Sequence, residues 1–403
     1  MRPDPTASPP TRPRLLLVTP YYAPHVGGVE RYVESLAGEL RRQTDWSVAI
    51  VTSGGHQPHQ GLSCSTAGGV RIYRMPWDLR LSNTPIGLRW RGMLREIIRR
   101  EQPSLVNAHA PVPGLADLTA TVAGERAFVL TYHTGPMRKD SLISDVLVRG
   151  YQRLILPRTL GRTDLVITSS DYVRANLPQP FREDAVTIHP GIDPETFAPG
   201  APEPFGVPPH ALFVGSLAKA ARYKNLPDLL RALRHLKDQG CHVNLTIVGD
   251  GDARRGYEEL ATALGLSWQV SFAGTLTGVS LTAAYQRSSF LVLPTLFDSF
   301  GTVLAETMAC ARPVVATTAG GITEIVTSGV DGLLVPPGNS ARLSSAIRTL
   351  ADDHELRTRL GLAARHKVTT RLTWRLQAER TIAAFREAMS RYPRRRSPAV
   401  GAQ

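Results

Sequence analysis

The sequence predicts an α/β protein made of two domains with parallel sheets, and three observations support this. The chain has 403 residues, which exceeds one ordinary core and fits two domains of roughly 150–200 residues each. Short runs of β-branched and leucine residues alternate with longer amphipathic stretches along almost the whole chain, as is typical of parallel sheets connected by helices. One proline-rich segment interrupts this alternation near the middle.

The first domain is predicted to span residues 15–193, after a flexible tail over residues 1–14 that is rich in Pro, Thr and Arg. Its β-branched and leucine-rich runs predict the strands Leu15–Thr19, Ser47–Thr52, Val70–Arg74, Leu105–Ala108, Phe128–Tyr132, Leu165–Thr168 and Val186–Ile188. Its amphipathic runs predict the helices Val29–Leu40, Leu88–Arg100 and Ser141–Leu160.

A stiff linker is predicted at residues 194–210, because this segment contains six prolines. The second domain then spans residues 211–372. Its predicted strands are Ala211–Gly215, Val243–Val248, Val270–Phe272, Phe290–Leu293, Pro313–Ala316 and Leu333–Val335. Its predicted helices are Leu226–Lys237, Ala253–Leu264, Val303–Ala309 and Ala341–Asp352. No strand follows a last helix at 373–390, which is expected to cross back to the first domain before a basic, flexible tail at 391–403.

The composition narrows the class of protein. The net charge of +13 comes almost entirely from arginine, and it favours anionic partners such as nucleic acid, a membrane surface or phosphorylated substrates. No apolar run approaches the roughly 18–20 residues of a membrane-spanning helix, and Leu15–Val18 is too short for a signal-peptide core. Cys64, Cys241 and Cys310 form neither a disulfide framework nor a metal pattern. We therefore expect a cytoplasmic protein.

The segment from Leu291 to Gly338 contains the strongest functional pattern. A predicted strand ends at Pro294, and a helix begins near Gly301 after a loop that contains Asp298. The backbone N–H groups of Gly301, Thr302 and Val303 are expected to be free at the helix start, where the helix dipole favours phosphate. Glu306 follows about one turn later. Its carboxylate can accept paired hydrogen bonds from the vicinal hydroxyls of a ribose.

This segment resembles the signature of the retaining GT-B glycosyltransferases, and among them glycosyltransferase family 4, the glycosyl transferases group 1. The matching elements are Asp298, Glu306, Pro313–Val315, Gly320–Gly321 and Glu324. The resemblance implies two Rossmann-like domains whose parallel sheets face each other across a cleft. It also implies that the first carboxylate contacts hydroxyls of the donor sugar and the second contacts the ribose.

The first of these carboxylates departs from the family, which usually has Glu where this chain has Asp298. The missing methylene shortens the reach of the side chain by about 1.5 Å, so the donor sugar sits differently or a water bridges the gap. The alternative is an ordinary strand–loop–helix unit in which Asp298 caps the helix.

A second motif lies in Leu212–Leu233, where Lys219, Arg222 and Lys224 precede a predicted helix. Cations at this place suit a diphosphate. Lys224 matches the phosphate-binding Lys of the family. Ser216 stands where the family usually has Arg, so we expect Arg222 or Lys219 to supply that charge.

Two further matches lie in the first domain. Gly27 and Gly28 belong to a Pro-x-x-Gly-Gly-x-Glu pattern that in the family lies beside the donor phosphate and the acceptor; a plain tight turn is the alternative. His133 matches a position whose imidazole faces the reacting sugar, where it can donate to a hydroxyl or steady developing charge. His109, at the end of a neighbouring predicted strand, is a weaker candidate.

Leu276 and Phe300 complete the expected donor site. Leu276 ends a Phe-Ala-Gly-Thr-Leu turn that resembles the base-contacting turn of the family, and Phe300 precedes the helix start. The Asp-Gly-Asp run at Asp250–Asp252 superficially resembles a metal-binding pair of the other glycosyltransferase fold, but its Val-Gly-Asp-Gly context argues against that role. We expect no metal and no other cofactor.

The expected activity is therefore retaining transfer of a hexosyl group from a UDP- or GDP-sugar to a hydroxyl acceptor. The acceptor would be a glycan, a lipid-linked molecule or a small molecule of cell-envelope or natural-product biosynthesis. A nucleotide-sugar epimerase or hydrolase of the same fold is an alternative. A nucleic-acid-binding protein is disfavoured, because aromatic residues make up only 6% of the chain and the arginines are dispersed apart from Arg394–Arg396.

The basic charge has another use in the first domain. The helical pattern Leu88–Arg100 combines apolar residues with arginines, and Arg80 precedes it. A peripheral contact with anionic lipid at the inner face of the cytoplasmic membrane would bring a lipid-linked acceptor to the enzyme. The alternative is a surface helix with a solvated basic face.

Overall fold

The computed structural model describes residues 12–25, 27–54, 61–81, 84–135, 142–201 and 208–396. Within these ranges the chain forms two compact units. The first unit takes the chain up to Ser169, then Val173–Ile188, and again from Trp374 onward. The second unit takes Ser170–Tyr172 and His189–Thr373. Most of the predicted N-terminal tail, part of the predicted linker and the end of the C-terminal tail lie outside the described residues.

In the described residues, the first unit contains ten strands. In chain order they are β1 Arg14–Thr19, β2 Ser47–Ser53, β3 Ser63–Ala67, β4 Val70–Met75, β5 Leu79–Leu81, β6 Thr84–Ile86, β7 Leu105–Ala110, β8 Ala127–Tyr132, β9 Leu165–Thr168 and β10 Ala185–Thr187. The helices between them are α1 Gly28–Gln43, α2 Trp90–Glu101, α3 Leu115–Val122, α4 Leu142–Leu154, α5 Leu156–Leu160 and α6 Asp171–Ala175. Ser170–Tyr172, including the start of α6, cluster with the second unit.

Eight of these strands form one sheet in the order β10-β9-β8-β7-β1-β2-β4-β3, and β5 pairs with β6 in a separate hairpin. All neighbours in the large sheet are parallel except β3 and β4. Every residue of β3 is exposed, so this edge strand has no hydrophobic alternation by which to predict it. The single helix predicted over Ser141–Leu160 is instead two, because Pro157 cannot donate a backbone hydrogen bond within a continuous helix.

The second unit has a six-stranded parallel sheet in the order β13-β12-β11-β14-β15-β16. Its strands are β11 His210–Val214, β12 Asn244–Val248, β13 Val270–Gly274, β14 Phe290–Leu293, β15 Val314–Thr317 and β16 Gly332–Val335. Its α-helices are α7 Leu226–Asp238, α8 Arg254–Ala263, α9 Gly278–Arg287, α10 Thr302–Ala309, α11 Ile322–Ile325, α12 Ser340–Asp352 and α13 His354–Arg371. A short 3₁₀ helix spans Lys219–Lys224.

The last helix, α14 Trp374–Arg396, belongs to the first unit. Its buried Ile382 and Phe385 join the core cluster that contains Leu36 of α1. The ring of Phe385 stacks on Trp46, with centroids 6.3 Å apart. No helix in the described part of the chain is long and apolar enough to cross a membrane.

The α/β prediction with parallel sheets is confirmed, and the strand orders show where ligands are expected. In the first sheet the chain order reverses between β1 and β7, and in the second it reverses between β11 and β14. Ligands of open parallel sheets bind outside the carboxyl ends of strands at such switch points. Ligands are therefore expected at the loops after β1, β7, β11 and β14.

Candidate active site

The residues predicted from the sequence divide between the two units. Gly27, Gly28 and His133 belong to the first unit. The remaining predicted residues, listed in chain order, belong to the second unit: Ser216, Lys219, Arg222, Lys224, Leu276, Asp298, Phe300, Gly301, Thr302, Val303 and Glu306.

In the second unit, Lys224 and Asp298 form an ion pair at the switch point. Lys224 ends the 3₁₀ helix after β11, and Asp298 lies in the loop after the neighbouring strand β14. Lys224 Nζ lies 2.6 Å from Asp298 Oδ2, and the two side chains are 18% and 14% exposed. Burial opposes the charge on Lys224, but the attraction of Asp298 outweighs it and raises the pKa of the ammonium group. Lys224 therefore stays cationic at neutral pH.

Besides the ion pair, hydrogen bonds to its side chain, a hydrogen bond to its carbonyl oxygen and a close-packed glycine turn hold Asp298 in place. Its Oδ1 accepts hydrogen bonds from the backbone N–H groups of Phe300 at 3.2 Å and Gly301 at 2.9 Å. Its carbonyl oxygen accepts from Gly321 N at 2.9 Å. Gly320 has φ of +63°, and a Cβ there would collide with the same carbonyl oxygen, so the Gly-Gly turn is required by its close approach to this loop.

The helix start differs in one respect from the sequence-based expectation. The N–H of Gly301 is bound by the Asp298 carboxylate, so it is not a free phosphate donor. Thr302 and Val303 are the first two residues of α10, and within the described ranges nothing accepts from their N–H groups. Two free donors of the three predicted therefore remain, with the positive end of the helix dipole beside them.

Glu306 lies on α10, one turn after Thr302, and is almost completely buried. Its Oε2 accepts a hydrogen bond of 2.6 Å from the hydroxyl of Tyr285, a buried residue of α9. Sequence reasoning missed Tyr285, because α9 itself was not predicted and no motif marks the residue. The bond fixes one oxygen of the carboxylate that was assigned to the ribose.

The loop after β11 presents exposed cations. Lys219 and Arg222 are exposed on the 3₁₀ helix, whereas the hydroxyl of Ser216 accepts from Ala218 N at 3.2 Å within its own turn. The Asp252 carboxylate accepts from Lys219 N at 2.6 Å. The Asp-Gly-Asp run thus packs against this loop, and the described residues contain no group of three or more His, Cys, Asp or Glu side chains that could hold a metal.

Leu276 and Phe300 flank this region. Leu276 lies partly buried after β13 and packs against the core of the second unit. Phe300 is 3% exposed, and its ring lies 5.6 Å from that of His189. Its side chain belongs to the core, so only its backbone is available to a ligand.

Glu324, the last residue of the family pattern, has a role within the second unit. Its two carboxylate oxygens accept from the backbone N–H groups of Asp171 at 2.7 Å and Tyr172 at 2.8 Å. His189 Nε2 lies 2.9 Å from Oε2 of the same group. The carboxylate therefore ties Asp171, Tyr172 and His189 to α11.

In the first unit, Gly27 and Gly28 form the start of α1. The carboxylate of Glu30 folds back over Gly27, so that a Cβ at Gly27 would collide with it, whereas Gly28 faces open space. Glu30 Oε1 also lies 2.5 Å from Nδ1 of His25. The Glu30 side chain thus occupies the space over the first glycine of the pattern, and the second glycine presents an open surface to a ligand.

His133 directly follows β8, and His109 lies near the end of the neighbouring strand β7. His109 Nδ1 and His133 Nε2 are 2.8 Å apart. Burial lowers the pKa of His133 to about 4, and burial together with the neighbouring imidazole lowers that of His109 well below its usual range. The structure therefore brings the weaker histidine candidate into direct contact with the stronger one, and both are neutral at pH 7.

Two protein families match the chain. Glycosyltransferase Family 4 matches residues 26–196, and Glycosyl transferases group 1 matches residues 201–367. A GDP-mannose-dependent α-(1-6)-phosphatidylinositol monomannoside mannosyltransferase of Mycolicibacterium smegmatis is 26% identical over 381 residues, which cover 91% of this chain and 96% of that protein.

Solved structures show the same fold. Sucrose-phosphate synthase from Thermosynechococcus elongatus superposes with a TM-score of 0.74 at 22% identity, covering 94% of this chain and 100% of that one. The Anabaena protein HepE, solved in complex with UDP-glucose, gives a TM-score of 0.69 at 18% identity over 92% of this chain and 99% of that one. This chain is a glycosyltransferase with the GT-B fold and belongs to the glycosyltransferase family 4 and glycosyl transferases group 1 proteins.

Proposed function

We propose that the protein transfers a hexosyl group from a UDP- or GDP-sugar to a hydroxyl acceptor, with retention of configuration and without a metal. One observation carries the proposal. Asp298 joins the Lys224 cation to the start of α10, where two N–H groups are free. A half-buried cation beside a helix N-terminus, at a sheet switch point, suits a nucleoside diphosphate.

The proposed role of this cluster is to stabilise the leaving group. Negative charge builds on the diphosphate as the glycosidic bond breaks, and fixed positive groups that meet it need no reorganisation. Lys224 and the N–H groups of Thr302 and Val303 supply such charge. The family usually has an arginine at the position of Ser216. Lys219 and Arg222, both exposed on the same loop, provide the positive charge in its place.

The two carboxylates are proposed to hold the rest of the donor. Glu306, whose Oε2 accepts from the Tyr285 hydroxyl, receives the ribose hydroxyls. Asp298 has one oxygen on Lys224 and the other on backbone N–H groups, but a carboxylate has about four acceptor sites in all. Three of these are used, and the one that remains, on Oδ2, can accept from a sugar hydroxyl, so that Asp298 serves both the donor sugar and the lysine.

The proposed reaction is a front-face substitution. The acceptor oxygen bonds to the anomeric carbon on the side from which the diphosphate leaves, and the acceptor proton passes to a phosphate oxygen of the leaving group. His133, neutral and half-buried, donates a hydrogen bond to the donor sugar near the developing charge. No metal takes part in this scheme.

The proposed acceptor is a glycan or a lipid-linked molecule, met at the inner face of the cytoplasmic membrane. The mycobacterial relative is a phosphatidylinositol monomannoside mannosyltransferase by name, which supports a lipid-linked acceptor. On α2 the apolar side chains of Trp90, Leu94 and Ile98 are buried in the first unit, so they cannot insert into lipid. The contact would instead be electrostatic, through exposed arginines on or before α2, namely Arg89, Arg91, Arg95, Arg99 and Arg100.

A donor panel tests the proposal. Thermal shifts are measured with UDP-, GDP-, ADP- and dTDP-sugars, since a ligand that binds the folded state raises the melting temperature. We expect stabilisation by a UDP- or GDP-sugar without added metal, and loss of that shift in Lys224→Met. A shift that requires a divalent cation, or none with any donor, contradicts the proposal.

The alternatives are separated by products. Transfer to a glycan or lipid acceptor with an α-linked product from an α-linked donor, read by NMR, supports retention. Free sugar or an epimerised nucleotide-sugar, formed at the same rate with and without acceptor, identifies a hydrolase or an epimerase. Flotation with anionic and neutral vesicles tests the membrane contact. Equal recovery of the protein with both kinds of vesicle would contradict an electrostatic contact with anionic lipid.

A further inference from the structure

In the first unit, the buried His109 and the half-buried His133 form a contact that follows from the strand register. β7 and β8 are parallel, with His109 opposite Thr131, so side chains at alternate positions share one face of the sheet. Asn107 on the same strand donates from Nδ2 to Thr131 Oγ1 at 2.9 Å and to Val129 O at 3.2 Å. His109 and His133 extend this polar row, with their rings 9° from parallel and centroids 5.1 Å apart.

The surroundings of His109 decide which ring nitrogen carries the bridging proton. A neutral imidazole has one N–H donor and one acceptor nitrogen. His109 is 1% exposed, and its Nε2 has no hydrogen-bond partner in the described part of the chain. If His133 donated, the proton of His109 would lie on Nε2 with nothing to accept it. An orphaned buried N–H is rarer in proteins than an acceptor without a donor.

We infer that His109 is a positioning residue, which donates from Nδ1 to Nε2 of His133 and thereby holds the His133 proton on Nδ1. A free histidine side chain favours the other tautomer, with its proton on Nε2. The pair thus gives His133 an N–H on the nitrogen that His109 does not contact. The inference rests on the proposed function in one respect, because that N–H is the group assigned to the donor sugar.

Neighbouring groups keep the pair neutral and in place. The ring of Tyr32 on α1 lies nearly perpendicular to both imidazoles, with centroids 4.8 Å from His133 and 5.7 Å from His109. Its hydroxyl accepts from Gln377 Nε2 at 2.7 Å, and burial raises the pKa of Tyr32, so that it carries no charge. The backbone of His133 is fixed as well, since its N–H donates to Ala110 O at 3.0 Å.

The test measures the tautomer directly. The full chain is labelled with ¹⁵N-histidine, and two-bond ¹H–¹⁵N correlations at pH 7.5 identify the protonated nitrogen of each ring. Signals are assigned through His109→Asn and His133→Asn. The matched pair is His109→Asn and His109→Leu, which have nearly the same shape, but only the amide keeps an N–H near the position of Nδ1.

We expect the His133 proton on Nδ1 in the unmodified protein and in His109→Asn, and a shift toward Nε2 in His109→Leu. Release of nucleoside diphosphate from UDP-glucose or GDP-mannose gives the second readout. Here kcat should fall about tenfold to a hundredfold in His109→Leu, the range for losing one positioned donor. KM should stay near its original value, and His109→Asn should recover most of kcat.

A His133 proton on Nε2 in the unmodified protein, or the same tautomer in His109→Leu, overturns the inference. If His109→Leu does not fold, the spectrum of the unmodified protein still decides where the proton lies. If the tautomers behave as expected but His133→Asn turns over normally, the imidazole pair stands as inferred. In that case it is the sugar contact of the proposed function that fails.

Discussion

Lys224 Nζ lies 2.6 Å from Asp298 Oδ2, across 74 residues of sequence. The two residues follow adjacent parallel strands, β11 and β14, so the fold of the second unit brings them together. The carboxylate that departs from the family pattern is therefore the partner of the lysine that agrees with it.

Replacing Lys224 by Met should weaken binding of the nucleotide-sugar donor by roughly tenfold to a hundredfold, the range for losing a charged hydrogen bond. It should also lower the free energy of unfolding by about 1–3 kcal/mol, because Asp298 stays half-buried without its cation. Calorimetric titration and urea unfolding measure the two effects. Lys219→Met, on the exposed part of the same loop, is the stability control. An equal loss of unfolding free energy in Lys224→Met and Lys219→Met would contradict the assignment of Lys224 as the cation that Asp298 needs.

Replacing Asp298 by Glu, the residue usual in the family, should lower both melting temperature and turnover in this chain. Asp298 Oδ1 accepts from Phe300 N and Gly301 N while Oδ2 binds Lys224. A side chain about 1.5 Å longer cannot keep the tight turn and the ion pair together. Differential scanning calorimetry and donor hydrolysis provide the measurements. A glutamate variant that is as stable and more active would contradict this, because it would show that Asp298 is merely too short to reach the donor sugar well.

Replacing Glu306 by Ala should abolish turnover while the fold remains intact. Tyr285→Phe should instead weaken donor binding in part and destabilise the protein by about 1–3 kcal/mol, since it removes one hydrogen bond to a buried carboxylate. Steady-state kinetics with urea unfolding separates the two variants. Normal donor affinity in Tyr285→Phe, with the expected loss of stability, would limit the tyrosine to a structural role.

Stability should fall as pH decreases from about 6.5 to 4. Burial lowers the pKa of His133 to about 4, whereas the imidazole of an unfolded chain takes up its proton near pH 6.5. Between these values the unfolded state binds more protons, so unfolding becomes easier as the pH drops. For His133 alone the loss is on the order of 3 kcal/mol. Urea midpoints against pH should show a shallower slope in His133→Asn, and an unchanged slope would count against a buried neutral imidazole.

The sequence predicted the buried framework well, because buried strands have short apolar runs that lie between amphipathic helices. It did not predict β3, whose residues are all exposed, and it joined α4 to α5 across Pro157. At the site, residue types and their order along the chain singled out Lys224 and Glu306, but the roles assigned to them stay predictions that depend on a family resemblance.

The side chains that contact the site residues could not be predicted in the same way. The contact of Tyr285 with Glu306 spans two helices, and that of His109 with His133 depends on the register of β7 against β8. Local sequence contains neither, since both follow from tertiary packing. The acceptor of the Gly301 N–H is different, because the alternative in which Asp298 caps the helix already placed that carboxylate at the helix start.

Helix α14 has a consequence for how the first unit is made. Ile382 and Phe385 fill the core of that unit, yet they are synthesised after all of His189–Thr373. While the ribosome translates the second unit, the apolar surface around Leu36 and Trp46 has no cover from its own chain. A fragment ending at Ile188 would keep that surface open and should aggregate, whereas one that joins Ile188 to Trp374 through a short linker has the pieces of a complete core.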